Sequence, residues 1–317
     1  MKVVFMGTPE FAVPCLKGLA KASKYDVIAV FTQPDKPKGR KFILTPPPVK
    51  ICAEKYDIPV FQPATLKDEN VISILKNLNP DFIIVVAYGK ILPKKILDIP
   101  TYGCINVHAS LLPQYRGAAP IGWAIVNGEK KTGITTMYMD EGLDTGDVLL
   151  QSEVDIEKDE TEGELRERLS HVGASLLIKT LDCICEGEIE RRKQDESQSS
   201  YAPILSKAHA LIDWKKHANE IHNLVRGLNP WPCAMTTYAG KTLKIYKTEQ
   251  LEIAAEPFLG KNCGYIKNIS PLLVVCGGGT VIKLIEVQYE GKKRMAASDF
   301  INGRKLDFVE QLGDKIT

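Results

Sequence analysis

Hydrophobic positions recur along this chain with more than one period, and the changes of period mark its elements. Residues 2–6 and 26–31 are runs of β-branched and aromatic side chains, and the stretch between them, residues 11–22, repeats its apolar positions at helical spacing. This predicts the opening of a βαβ unit. Residues 81–87 are almost continuously apolar, the pattern of a central strand buried on both faces. Shorter β-rich runs follow at 104–108, 132–139 and 148–154. Thr161 and Glu164 have the spacing of a capping box, and Leu165, Leu169, Val172, Leu176, Leu177, Leu181 and Ile184 give the helix that follows an apolar face as far as Gly187. Such an order predicts a doubly wound, Rossmann-like parallel sheet.

Beyond this helix the pattern changes. Residues 191–200 are polar and begin a linker near 190–207. A strand at 212–214 and a helix at 218–228 precede Asn229-Pro230-Trp231-Pro232, a rigid aromatic turn expected to pack between domains. Five short β-rich runs with Gly-containing turns follow, near 233–239, 241–248, 262–268, 272–276 and 280–288. They predict a small, OB-like β-barrel. A chain of 317 residues exceeds one comfortable core, so the expected division is 1–189, a linker at 190–207, and 208–317. His209, His217 and His222 are expected on the surface or as helix caps.

Residues 32–50 form a Pro-rich connection with no regular structure expected. From Lys36 to Lys50 it carries five basic residues and no acidic one, with Phe42 and Ile43 beside Gly39. Basic and apolar groups together suit a loop that grips phosphates and wedges beside a base. The composition fits an ordinary solvated loop equally well.

Composition narrows the class. Hydrophobic residues make up 44% of the chain, as in a globular protein, and no run reaches the roughly 18 apolar residues that span a bilayer. The amino terminus reads as one apolar strand ended by Gly7, without the basic flank of a signal peptide. Eight cysteines are scattered without metal-ligand spacing, so reduced thiols, a cytoplasmic location and no metal are expected. Net charge is +2, but residues 207–317 carry 16 basic and 11 acidic residues against 25 and 28 before them. A basic carboxy-terminal region is compatible with a polyanionic partner and common without one. The first turn, Gly7-Thr8-Pro9-Glu10-Phe11, lacks the Gly-x-Gly-x-x-Gly pattern of dinucleotide binding.

Asn106 and His108 stand two residues apart on a predicted strand, so both side chains leave one face of the sheet, close to a strand end where sites form in open α/β sheets. Asp144 lies in the turn between the runs at 132–139 and 148–154, with Gly142 and Gly146 expected to give it backbone freedom. An amide, an imidazole and a carboxylate around one loop suit acyl or one-carbon transfer. Asn106 and a protonated His108 would stabilise an oxyanion, while Asp144 would orient the imidazole. On spacing alone the three also fit two turn residues and a hydrogen-bonded core histidine.

A resemblance decides between these readings. Asn106-Val107-His108 with Ser110-Leu111-Leu112-Pro113, Arg116-Gly117-Ala118-Ala119-Pro120-Ile121, Thr132-Gly133 and Gly142-Leu143-Asp144-Thr145-Gly146-Asp147 resembles the signature of the folate-dependent formyltransferases. The Gln33-Pro34-Asp35 start of the basic loop and the stretch from Ile204 to Pro232 are similar to the branch that formylates methionyl initiator tRNA. One departure is Ala208-His209-Ala210-Leu211, where that branch has a more acidic, Gly-containing turn.

The resemblance implies Asn106, His108 and Asp144 as catalytic residues and 10-formyltetrahydrofolate as co-substrate. The folate would lie against Tyr88, Ile91, Leu92, Ser110, Leu111, Leu112, Pro113 and Asp140. Arg40 and Lys41 would meet the tRNA acceptor end, Phe11 the methionine side chain, and the barrel would bind tRNA. A monomer with no membrane partner is expected. Relatives acting on an amino-sugar or glycinamide nucleotide would share the Asn/His/Asp set without needing the basic loop or the barrel. A non-catalytic RNA-binding protein would have no need to keep all three polar residues.

Overall fold

The computed structural model describes residues 1–39, 42–251, 263–302 and 311–313. The chain divides into two compact units, the first made of residues 1–120, 131–155 and 166–202 and the second of 121–130, 156–165 and 203–317.

The chain opens with β1 (Lys2–Gly7), α1 (Val13–Lys21) and β2 (Asp26–Phe31), the predicted βαβ unit. The connection that follows is not irregular. Lys36–Lys38 (β3) and Ile43–Thr45 (β4) pair as an antiparallel hairpin, and Pro48–Glu54 forms α2. The prolines mislead because a two-stranded ribbon has only edge strands, where Pro37 is tolerated. Pro47 and Pro48, at the start of α2, occupy positions where a missing N–H costs nothing.

Next come β5 (Val60–Phe61), α3 (Glu69–Leu78), β6 (Phe82–Val86), α4 (Lys94–Leu97), β7 (Cys104–His108), β8 (Arg116–Gly117), α5 (Pro120–Val126), β9 (Lys131–Tyr138), β10 (Val148–Asp155), α6 (Glu162–Glu186) and β11 (Tyr201–Ala202). The main sheet has the order β10-β9-β7-β6-β1-β2-β5. From β7 to β5 neighbouring strands are parallel, whereas β9 runs antiparallel to both β7 and β10. All five residues of β6 and of β7 are buried, as their apolar character requires. The capping box at the start of α6 is present, with Thr161 N and Oγ1 donating to Glu164 Oε2 at 2.9 and 2.7 Å. Strand order reverses at β1, so the carboxyl ends of β1, β6 and β7 flank the switch point of the sheet.

The second unit holds α7 (Ala218–Gly227) and the strands β12 (Met235–Tyr238), β13 (Lys241–Leu251), β14 (Ile266–Ile269), β15 (Leu272–Val275), β16 (Val281–Tyr289) and β17 (Met295–Ala296), followed by α8 (Ala297–Asn302). They form a curled antiparallel sheet, β12-β13-β16-β15-β14 with β17 on β16, a half-barrel in keeping with the small OB-like barrel expected. Residues 212–214 are not a strand. Leu211 makes a single bridge to Met235, and Trp214 turns inward to fill the core, donating Nε1–H to Thr236 Oγ1 at 3.0 Å.

His217 caps α7 and His209 takes part in a capping box. His222, by contrast, is buried, its Nδ1 2.9 Å from Thr248 Oγ1 and its Nε2 3.3 Å from Asp159 Oδ1. It faces the apolar side of α7, which outweighs its polarity. Trp231 is 57% exposed, while Asn229 bonds Tyr246 O and accepts from Gly163 N inside the same unit.

Candidate active site

Asn106 and His108 project from the same face of β7, whose register sets Asn106 beside Val85 of β6 and Met137 of β9, and His108 beside Thr135. Both are buried. Because β9 runs antiparallel to β7, the turn after Tyr138 begins beside Ile105 and must fold back along β7 to deliver a carboxylate. It does so through Asp144 itself, which has φ +56°. Gly142 and Gly146 serve a purpose other than the one expected. Neither has positive φ; a Cβ on Gly142 would sit 2.0 Å from Thr145 Oγ1, and one on Gly146 1.8 Å from Tyr138 O. The turn is too tight for side chains at these two places.

The three predicted catalytic residues converge. Asp144 Oδ1 accepts from Asn106 Nδ2 at 3.2 Å, and Oδ2 accepts from Gly117 N at 2.9 Å and lies 3.6 Å from His108 Nδ1. The other ring nitrogen, Nε2, is 3.0 Å from the carbonyl of Tyr115. A carbonyl only accepts, so Nε2 carries a hydrogen. Both nitrogens thus face acceptors. Asp144 is 12% exposed and His108 7% at their side chains, so their interaction is weakly screened.

Ser110–Pro113 lies against this cluster. Ser110 Oγ donates to Gln114 O at 2.6 Å, and Thr135 Oγ1, fully buried, donates to Ser110 O at 2.6 Å and accepts from Leu112 N at 3.1 Å. Leu112 packs with Met137 and Val148, leaving Leu111 and Pro113 half-buried. In the loop after β6, Tyr88 and Leu92 enter the core instead of lining a surface, and burial pushes the Tyr88 phenol up to about 12. What this loop offers is the Tyr88 carbonyl, bonded by Thr8 Oγ1 at 3.2 Å and Gln33 Nε2 at 3.0 Å, and the side chain of Ile91, 79% exposed. Leu143, beside Asp144, is 51% exposed. Asp140 holds its own turn, accepting from Gly142 N and Thr145 Oγ1 at 2.9 and 2.7 Å. Phe11 is buried in a short 3-10 turn after β1. Arg40 and Lys41 lie outside the described residues.

Gln194, which the sequence did not single out, completes the cluster together with Arg116. Gln194 Nε2 donates to Asp144 O and Gly146 O at 2.8 and 2.7 Å, and Arg116 Nε donates to Gln194 Oε1 at 3.0 Å. Gln194 lies in a polar run with no periodicity, so nothing local marks it. Among the described residues, no three His, Cys, Asp or Glu side chains are grouped to hold a metal, and no helix is long and apolar enough to cross a membrane.

An open α/β sheet carrying this cluster at the carboxyl end of β7 is the architecture of a formyl-group transferase, and residues 1–181 match the formyl transferase family and residues 204–305 the formyl transferase C-terminal domain. The chain is 51% identical over 314 residues to the methionyl-tRNA formyltransferase of Alkaliphilus oremlandii, covering 99% of this chain and 100% of that protein. It is 52% identical over 315 residues to that of Clostridium novyi, covering 98% and 100%. The chain belongs to the methionyl-tRNA formyltransferase family.

Solved structures share the fold at lower identity. The N-formyltransferase from Helicobacter canadensis, in complex with folinic acid and dTDP-3-aminofucose, superposes with a TM-score of 0.66 at 21% identity, covering 91% of this chain and 99% of that one. HypX from Aquifex aeolicus with tetrahydrofolic acid gives 0.60 at 14%, covering 96% and 47%.

Proposed function

We propose that this protein transfers the formyl group of 10-formyltetrahydrofolate to the α-amine of methionyl initiator tRNA, in the cytoplasm and as a monomer. The observation that carries the reading is the convergence of Asn106, His108 and Asp144 on one buried spot. Near-full-length relatives named methionyl-tRNA formyltransferases support the acceptor. Proteins of the same fold determined with folinic acid or tetrahydrofolic acid support the donor.

A free α-amine has a pKa of about 7.7 to 8.0, so a useful fraction is neutral and nucleophilic near pH 7. The enzyme has little to do for the nucleophile. It must juxtapose two substrates and stabilise the charge that develops on the formyl oxygen. The amine nitrogen bonds to the formyl carbon, and the carbonyl electron pair moves to oxygen. Asn106, through the amide hydrogen it does not give to Asp144, and His108, through Nδ1–H, donate to that oxyanion. When the oxyanion re-forms the carbonyl, the bond to N10 of the folate breaks, N10 takes a proton, and the attacking nitrogen loses one. Asp144 orients His108 throughout and relays that proton.

On the folate, Ile91 and Leu143 supply exposed apolar faces and the Ser110–Pro113 segment flanks the ring, whereas Tyr88 and Leu92 support the loop from the core. Asp140 shapes the turn that carries Asp144. Phe11, buried in the turn after β1, presents that turn to the methionine side chain. Arg40 and Lys41 meet phosphates of the acceptor end, and the carboxy-terminal half-barrel binds the tRNA. The test is transfer by wild type and His108→Ala: loss of turnover by orders of magnitude in a folded variant supports the role, and near-normal turnover removes His108 from the mechanism.

A further inference from the structure

The two groups that orient His108 lie outside the long strands and helices. Asp144 belongs to the turn between β9 and β10, and the Tyr115 carbonyl to the turn leading into β8. Asp144 and Tyr115 both hold positive φ, +56° and +58°, a conformation that non-glycine residues keep only when their surroundings impose it. Something other than local propensity holds these turns.

We propose that residues 191–202 form a strap that positions the catalytic imidazole, with Gln194 as its central positioning residue. The proposal rests on the catalytic reading of Asn106, His108 and Asp144 given above. The strap reads as a polar linker, yet it lies wholly within the first compact unit. It is anchored at its start, where Arg192 and Val148 exchange backbone hydrogen bonds of 2.8 and 2.9 Å and the Arg191 guanidinium lies 3.9 Å from the centre of the Tyr138 ring. At its end, Tyr201 and Ala202 pair in parallel with Arg116 and Gly117.

Between these anchors each turn is tied to the strap. Ser200 holds the Tyr115 turn, its Oγ accepting from Tyr115 N and its carbonyl from Arg116 N, both at 2.8 Å. Gln194 holds the Asp144 turn from behind. Its amide group donates to the carbonyls of Asp144 and Gly146, and its oxygen accepts from Arg116. The guanidinium of Arg116 is in turn fixed by Glu196, bidentate at 2.8 and 2.8 Å, a pairing that holds the Glu196 carboxyl below its usual range. Of residues 191–200, all described, only Gln194 is not exposed. An amide is the side chain this place needs, because it must donate twice and accept once. A carboxylate of the same size would satisfy Arg116 and set oxygen against two carbonyl oxygens.

The experiment uses the full-length chain with Gln194→Ala, Gln194→Glu, Asp144→Asn and the Asp144→Asn/Gln194→Ala double variant. Single-turnover formyl transfer is read beside hydrogen exchange of the peptide spanning residues 139–147. For Gln194→Ala the expected result is a transfer rate constant lower by about 10²-fold, the scale of a small misplacement of catalytic groups, with KM for folate and for tRNA within about twofold of wild type. Gln194→Glu should not rescue it. The double variant should be no slower than Asp144→Asn, since both substitutions disable the same unit. Exchange in residues 139–147 should rise in both Gln194 variants.

Wild-type transfer by Gln194→Ala, rescue by Gln194→Glu, or losses that multiply in the double variant would overturn the positioning role. Inactivity of the wild type toward methionyl-tRNA would overturn the proposed function. The strap would then still be judged by exchange alone, and unchanged exchange in residues 139–147 would refute it.

Discussion

Replacing Asp144 by Asn tests the electrostatic part of the site with little change of shape. Asp144 Oδ2 is 3.6 Å from His108 Nδ1. At that separation a unit charge pair in an effective dielectric of about 20 interacts by about 4 to 5 kcal/mol. An amide removes nearly all of this from the step in which the imidazole is cationic, a rate loss of about a thousandfold. Folding should suffer less. The carboxylate accepts from Gly117 N and Asn106 Nδ2 through separate oxygens, and one amide oxygen serves only one of them. Asn106 can turn its own amide to meet the new NH2, so the stability cost is about 1 to 2 kcal/mol. The assay is single-turnover formyl transfer at saturating substrates, with urea unfolding beside it. A folded variant within tenfold of the wild-type rate would show that the Asp144 charge does not drive the step.

Further expectations follow from the same geometry. Thr135→Val leaves Leu112 N–H and Ser110 C=O without the hydroxyl that serves both, and at about 1 to 3 kcal/mol per buried unsatisfied group urea unfolding should show a loss of about 2 to 6 kcal/mol; under 1 kcal/mol would mean the segment is held otherwise. Gly146→Ala places a Cβ on Tyr138 O, so turnover should fall at least tenfold in a chain with wild-type far-UV circular dichroism; unchanged turnover would show that the turn adapts. His222 has its pKa lowered by burial and then by Arg226, against the opposing Lys158 carbonyl and Asp159 carboxylate. The unfolded chain therefore takes up this proton first, and stability present above pH about 6.5 is lost as pH falls below it, with a slope of at most about 1.4 kcal/mol per pH unit. Urea titrations at several pH values should show a shallower acid slope in His222→Asn, and identical slopes would exclude His222 as the cause.

Much of this molecule was legible in its sequence, for physical reasons that differ by element. β6 and β7 announced themselves because burial on both faces demands unbroken apolar runs, and Asn106 and His108 stood out as the polar exceptions. Period 2 put them on one face without knowledge of any partner. The turn carrying Asp144 was visible from its glycines, though for the wrong reason, since their service is close approach and the left-handed residue is Asp144.

What stayed hidden depends on contacts distant in sequence. Gln194 bonds residues about 50 positions away, and no local pattern encodes that. Tyr88 and Leu92 follow a strand and looked like loop side chains, yet the chain turns them back into the core. His222 is hidden similarly, because helical spacing assigns a face but a histidine weighs against burying it. The pairing of Lys36–Lys38 with Ile43–Thr45 was obscured by prolines that are incompatible with central strands and compatible with edges. That residues 121–130 and 156–165 pack with the second unit has no signature in composition at all.

Formyl transfer to the tRNA is decided by a single-turnover measurement with labelled 10-formyltetrahydrofolate, with methionyl initiator tRNA and free methionine as alternative acceptors, for wild type and for Arg40→Ala/Lys41→Ala. Wild type is expected to transfer rapidly to the tRNA and not to methionine, with a sharp loss in the double variant that narrows as salt is raised, because the wild-type phosphate contacts are the ones salt weakens. Transfer to free methionine at a rate matching that to tRNA, or none to the tRNA, would contradict it.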